Sequence, residues 1–220
     1  MLAGILKIIH IVAGGVSLLT GLGALVLRNR TPLHKPVGRI YFWSMAVIFI
    51  TALYLSYIKS NVFLWCVACF SFYSALTAYR SLRLKKLHQQ QKPSPVDWVI
   101  EAFFGIMHFG FVVFAIYLLK SGETSFGVVS LVFGSIGLRA NFTTIKRLRG
   151  NVSEKNYWLM AHAGGMTGSY IAAITAFTVN NNAWMGLPNI IAWLGPTAIL
   201  VPFMIVQLGK LKGNKIQAKP

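Results

Sequence analysis

An all-α bundle of seven transmembrane helices is the fold class this sequence predicts, on three observations. The chain of 220 residues is 55% hydrophobic, with mean hydropathy +0.62 and only 11% charged residues, where a soluble domain carries about 25%. Seven stretches reach the roughly 20 apolar residues that a helix needs to cross hydrocarbon. The basic residues gather in alternate connections, as they do around membrane spans. A chain this apolar cannot remain disordered in water, and the alternating ten-residue segments of a membrane β-barrel do not occur.

The seven spans run at Ile5–Leu27, Val37–Ile58, Val62–Tyr79, Trp98–Leu119, Ser125–Ile145, Tyr157–Val179 and Leu187–Leu208. Asn29-Arg30-Thr31-Pro32 ends the first, and Pro36 opens the second, where a missing N–H does no harm. Ser94-Pro95-Val96-Asp97 spells a capping box with proline at the first helical position, and Asn180-Asn181-Asn182 makes a turn before the last span. That last span holds Gly195-Pro196 and Pro202, which remove helical hydrogen bonds and favour a kink. The first apolar stretch is too long for a removable signal peptide and lacks a small-residue cleavage site. One transmembrane domain over 1–209 and a basic tail over 210–220 account for the whole chain.

Orientation follows from charge. The formal net charge is +17, from 21 Lys and Arg against 4 Asp and Glu. Arg28, Arg30, Lys35 and Arg39 lie between spans one and two; Arg80, Arg83, Lys85, Lys86 and Lys92 lie between three and four. Lys146, Arg147, Arg149 and Lys155 lie between five and six, and Lys210, Lys212, Lys215 and Lys219 follow the seventh. The opposite side has only Lys7, Lys59 and Lys120. The positive-inside rule then places the N-terminus outside and the C-terminus in the cytoplasm, in a multi-pass plasma-membrane protein. The same cations meet anionic lipids of the cytoplasmic leaflet at about 1 kcal/mol each. Trp98, Trp158, Trp65 and Trp184 fall at span ends as interfacial anchors. No nucleic-acid-binding module is present, so the basic excess belongs to the membrane.

Ionisable residues at membrane depth cost at least about 2.5 kcal/mol, which makes each one a functional candidate. They are His10 in span one, Glu101 and His108 in span four, Arg139 in span five and His162 in span six. Each histidine shares a helical face with small residues: His10 with Gly14, Ser17 and Gly21; Glu101 and His108 with Gly105; His162 with Gly165, Ser169 and Ala173. Such faces allow close helix packing with a histidine hydrogen-bonded across it. They also leave room for the edge of a planar cofactor whose iron is held by neutral imidazoles. Two expectations follow. In the first, a membrane redox protein holds b-type haem between His108 and either His10 or His162, with His34 as a weaker ligand and Arg39 and Arg139 holding anionic groups; the metal is then haem iron, and an electron-transfer partner is implied. In the second, a proton-coupled or anion transporter uses Glu101, Arg139, His108 and His162, with Glu101 and Arg139 able to pair. A receptor or assembly protein whose polar residues merely join helices is the third possibility. Cys66 and Cys69 sit in apolar surroundings and read as inert buried thiols.

The segment His34-Lys35-Pro36-Val37-Gly38-Arg39-Ile40-Tyr41 crowds two cations and a histidine at a helix start, suited to a lipid phosphate, a propionate or an anionic substrate. With His10 and its glycines, Arg139, and the run from His162 to Phe177, it resembles a bacterial family of multi-spanning membrane proteins of unknown function. The resemblance implies a polytopic plasma-membrane protein and no particular reaction. The scattered histidines give a looser likeness to membrane cytochromes of the b561 kind, from which this chain departs by lacking two ligand histidines on each ligating helix.

Overall fold

The computed structural model of the chain describes residues 1–152 and 154–213, with side chains through 209. Of the basic tail expected after 209, Lys215 and Lys219 lie outside the described residues, as do the side chains of Lys210 and Lys212. The described chain is helical, without a strand: α1 (Leu2–Val26), α2 (Thr31–Ile58), α3 (Val62–Ser81), α4 (Pro95–Lys120), α5 (Thr124–Leu148), α6 (Tyr157–Asn180), the single turn α7 (Asn182–Met185) and α8 (Asn189–Gly213).

Six helices, namely α1 to α5 and α8, are long and apolar enough to cross a membrane. Helix α6 has the length, 24 residues or about 36 Å, but carries His162, Thr167, Ser169, Thr175, Thr178 and three glycines, which lower its hydropathy. It nonetheless runs the depth of the bundle. Tyr157 at its start packs with Leu84, Leu87 and Leu148, and Val179 near its end packs against the cluster of Phe63, Phe111, Phe133 and Trp193. Between these ends α6 lies against α1, α3 and α8.

The boundaries differ from expectation chiefly at α2. The segment His34–Tyr41 is helical from Thr31 onward, so Pro36 lies inside α2 and the expected loop is part of the helix. Pro32 stands within the first turn, where no backbone donor is needed, and the helix tolerates the one bond that Pro36 removes. The capping box at the start of α4 forms as its sequence indicates, and Pro196 and Pro202 lie within α8.

Hydrogen bonds gather the three basic connections at one end. His34 Nδ1 donates to the Ala24 carbonyl at 3.0 Å, joining the start of α2 to the end of α1. Arg80 at the end of α3 pairs with Asp97 at the start of α4 (2.8 Å), and the Tyr157 hydroxyl accepts from Leu87 N–H (3.2 Å). Ser81 Oγ donates to the Trp158 carbonyl at 3.1 Å. Lys59 and Lys120 close α2 and α4 at the opposite end.

Glycine sets the approach of α6 to α3. A Cβ at Gly165 would lie 2.7 Å from the Ala78 Cβ and 2.8 Å from the Ser74 carbonyl oxygen, a separation that backbone atoms cannot easily yield. On the facing side Tyr41 of α2 and Ser169 of α6 share a buried hydrogen bond, and Tyr170 donates to the Leu18 carbonyl of α1.

Candidate functional site: an arginine-lined cavity at the basic end

Where α3, α4, α5 and α6 converge at the basic end, a cavity of about 330 Å³ opens. Its polar wall comes from Tyr73 and Thr77 of α3, Asp97 and Glu101 of α4, and Arg139, Thr143, Thr144 and Arg147 of α5, with Arg80 at its rim. Tyr157, Met160, Ala161, Gly164 and Gly165 of α6 form the opposite wall. A second, shallower hollow adjoins it on α5, shared through Arg139, Thr143 and Arg147 and extended by Phe142, Lys146 and Asn151.

The two carboxylates in the wall are already engaged. Asp97 Oδ1 takes Arg80 Nε, and its Oδ2 accepts from the backbone N–H and the hydroxyl of Ser94, both at 2.8 Å. Arg80 also donates through Nη2 to Ser94 Oγ. Glu101 Oε2 accepts from the Tyr73 hydroxyl (2.8 Å) and from Asn141 Nδ2 (2.7 Å). Glu101 therefore shares the cavity with Arg139 while its hydrogen bonds go to Tyr73 and Asn141. Neither of these two carboxylates is paired with Arg139 or Arg147.

Behind this wall the network continues inward. Asn141 Nδ2 also meets the Glu101 carbonyl at 3.2 Å, so both contacts of that nitrogen are to acceptors and fix the amide's orientation. Asn141 Oδ1 then accepts from His108 Nδ1 at 2.9 Å. His108 is 1% exposed, and its Nε2 has no hydrogen-bond partner. Its ring lies between Tyr73, Phe70 and Phe104 and against Gly137, where a Cβ would come within 2.4 Å of the ring. A polar chain thus runs from the cavity at Glu101 to the His108 ring inside the bundle.

The other histidines lie elsewhere. His10 Nδ1 bonds Thr51 Oγ1 between α1 and α2 at 2.9 Å. His162 Nδ1 donates to the Ala78 carbonyl at 3.1 Å, and its ring meets that of His34 with centroids 6.2 Å apart. The structure brings together His34 and His162 and gives His10 and His108 separate partners on different helices, so neither pairing expected for His108 is formed. Arg39 is exposed on α2, and Cys66 and Cys69 are free and buried. The sequence reading missed Tyr73, Asn141, Arg80 and Arg147. Arg80 and Arg147 read from sequence as loop cations, and a tyrosine or asparagine in an apolar helix gives little signal until a partner is known.

The chain is similar over residues 7–110 to a family described as "Predicted membrane protein (DUF2306)". That stretch includes His10, His34, Tyr73, Asp97, Glu101 and His108 and stops before Arg139, Asn141, Arg147 and His162. No curated protein and no solved structure matches the chain. The family likeness and the six apolar helices agree on a multi-pass membrane protein.

Proposed function

We propose that this protein is a seven-span membrane carrier for a small anionic solute, with α6 as its seventh span. In this reading the N-terminus is outside, and the basic end lies in the cytoplasm against anionic lipid, in the plasma membrane of a bacterium. The observation that carries it is Arg139 and Arg147 facing a 330 Å³ cavity whose two carboxylates are engaged by other residues. That volume is at the lower end for small-molecule sites. Arg147 is half-buried and Arg139 exposed at the cavity's edge; their guanidinium groups suit a carboxylate or phosphate, which each can grip through paired N–H donors. Glu101, in the same wall and linked to His108 through Asn141, supplies a group whose proton can be coupled to the anion's charge.

The test uses the full chain in proteoliposomes, recording charge movement on addition of inorganic phosphate, acetate, succinate or citrate. At least one of these anions is expected to give a saturable signal. Arg139→Gln with Arg147→Gln should lower the apparent affinity at least tenfold, as expected when two charge-assisted contacts to the anion are lost. Glu101→Gln keeps a side chain that Tyr73 can donate to, and should remove the dependence of the signal on a pH gradient. Silence toward every anion in well-folded protein would leave the polar residues as helix-joining groups only.

A further inference from the structure

The pair formed by His34 and His162 takes no part in the cavity. Both histidines are half-buried, one on α2 and one on α6, 128 positions apart in the chain. Their ring centroids are 6.2 Å apart and their planes stand at 81°. Each Nδ1 lies against a main-chain carbonyl on a different helix, Ala24 O of α1 at 3.0 Å and Ala78 O of α3 at 3.1 Å. A carbonyl oxygen only accepts, so both Nδ1 atoms carry the hydrogen. In the neutral rings both Nε2 atoms then carry the lone pair.

This is the outer-shell arrangement of metal-binding histidines, in which a backbone carbonyl fixes the tautomer and aims the ring. The spacing also fits. A metal–nitrogen bond of about 2.0–2.1 Å plus roughly 1.1 Å from nitrogen to ring centroid, on each side, separates two imidazoles on opposite sides of one metal by about 6.2–6.4 Å. Helix-joining alone would need one tethered histidine and would not require two rings to meet. Among the described residues no group of three or more His, Cys, Asp and Glu gathers, so any metal held here would rest on these two imidazoles.

We propose that His34 and His162 are the two imidazole ligands of one transition-metal centre held between α2 and α6. Two chemistries use a pair of imidazoles on opposite sides of a metal: the iron of a haem, and a bare copper(I) ion.

The test titrates purified full-length protein in detergent separately with haemin and with copper(I). One equivalent per chain is expected for one of the two probes. Saturable haemin binding with a low-spin, bis-imidazole visible spectrum identifies the iron form, and copper binding without haemin binding identifies the ion form. His34→Asn and His162→Asn retain an N–H donor for the carbonyls, so they should fold; each should weaken binding at least tenfold. His10→Asn should leave binding unchanged. Equal binding by the wild type and by the His34→Asn/His162→Asn double variant, or binding of neither probe by monodisperse wild type, overturns the proposal.

Discussion

Asn141→Ala is expected to lower the stability of the bundle by about 2–3 kcal/mol. The side chain is 3% exposed and joins three groups: the His108 ring, the Glu101 carboxyl and the Glu101 carbonyl. An interhelical hydrogen bond in a membrane protein contributes only about 0.6 kcal/mol on average, because the separated helices find other partners. The larger figure applies here because truncation strands a buried donor. His108 Nε2 is already without a partner, and loss of Asn141 leaves Nδ1 without one too, in a pocket of Phe70, Tyr73 and Phe104. Asn141→Asp preserves the acceptor for His108 but replaces the donor facing Glu101 with an oxygen, so it should be no better than alanine. Thermal unfolding in detergent measures both, and a shift below about 0.5 kcal/mol for Asn141→Ala would show that the network bears no weight.

Gly165→Leu should be still more disruptive, while Gly168→Ala on the same helix should be neutral or mildly stabilising. Even a methyl at Gly165 meets Ala78 and the Ser74 carbonyl below 3 Å, and overpacking of that kind costs about 1–3 kcal/mol. Leucine cannot be placed without moving α6 off α3, which breaks the His162–Ala78 and Ser81–Trp158 bonds and removes one wall of the cavity. At Gly168 nothing lies within 4 Å of an added Cβ, and alanine gains up to about 1 kcal/mol in helix propensity. The expected pattern is therefore loss of folded, monodisperse protein for Gly165→Leu and normal yield for Gly168→Ala. Equal behaviour of the two would contradict the α3–α6 packing described above.

Much of the fold was legible because bilayer thickness forces a length and a polarity on every span. The ends of α3, α4 and α6 lie within a few residues of those read from composition, and the capping residues Ser94 and Asp97 announce α4 directly. The start of α2 was not legible, since Pro36 reads as punctuation until the helix around it is seen. At the site, single ionisable residues stand out by their cost in hydrocarbon, as Glu101, His108 and Arg139 do. Pairings were not legible. Which histidine meets which depends on helix neighbours, and periodicity says nothing about those; from sequence His34 reads as a weaker ligand, yet it is the histidine that meets His162. Arg147 sits at the last turn of α5 and reads as a headgroup cation until the cavity behind it is seen.

The most direct test of the account is side-specific labelling of single cysteines with a membrane-impermeant thiol reagent in oriented vesicles, with Cys66 and Cys69 replaced by alanine. Cysteines at Arg30, Arg83 and Arg149 are expected to react from one side of the membrane only, and cysteines at Ser60, Gly122 and Asn181 from the other, the last reporting the passage of α6. Reaction of the Arg83 and Arg149 positions from opposite sides would separate the walls of the cavity across the bilayer and contradict the architecture on which an anion site at the basic end depends.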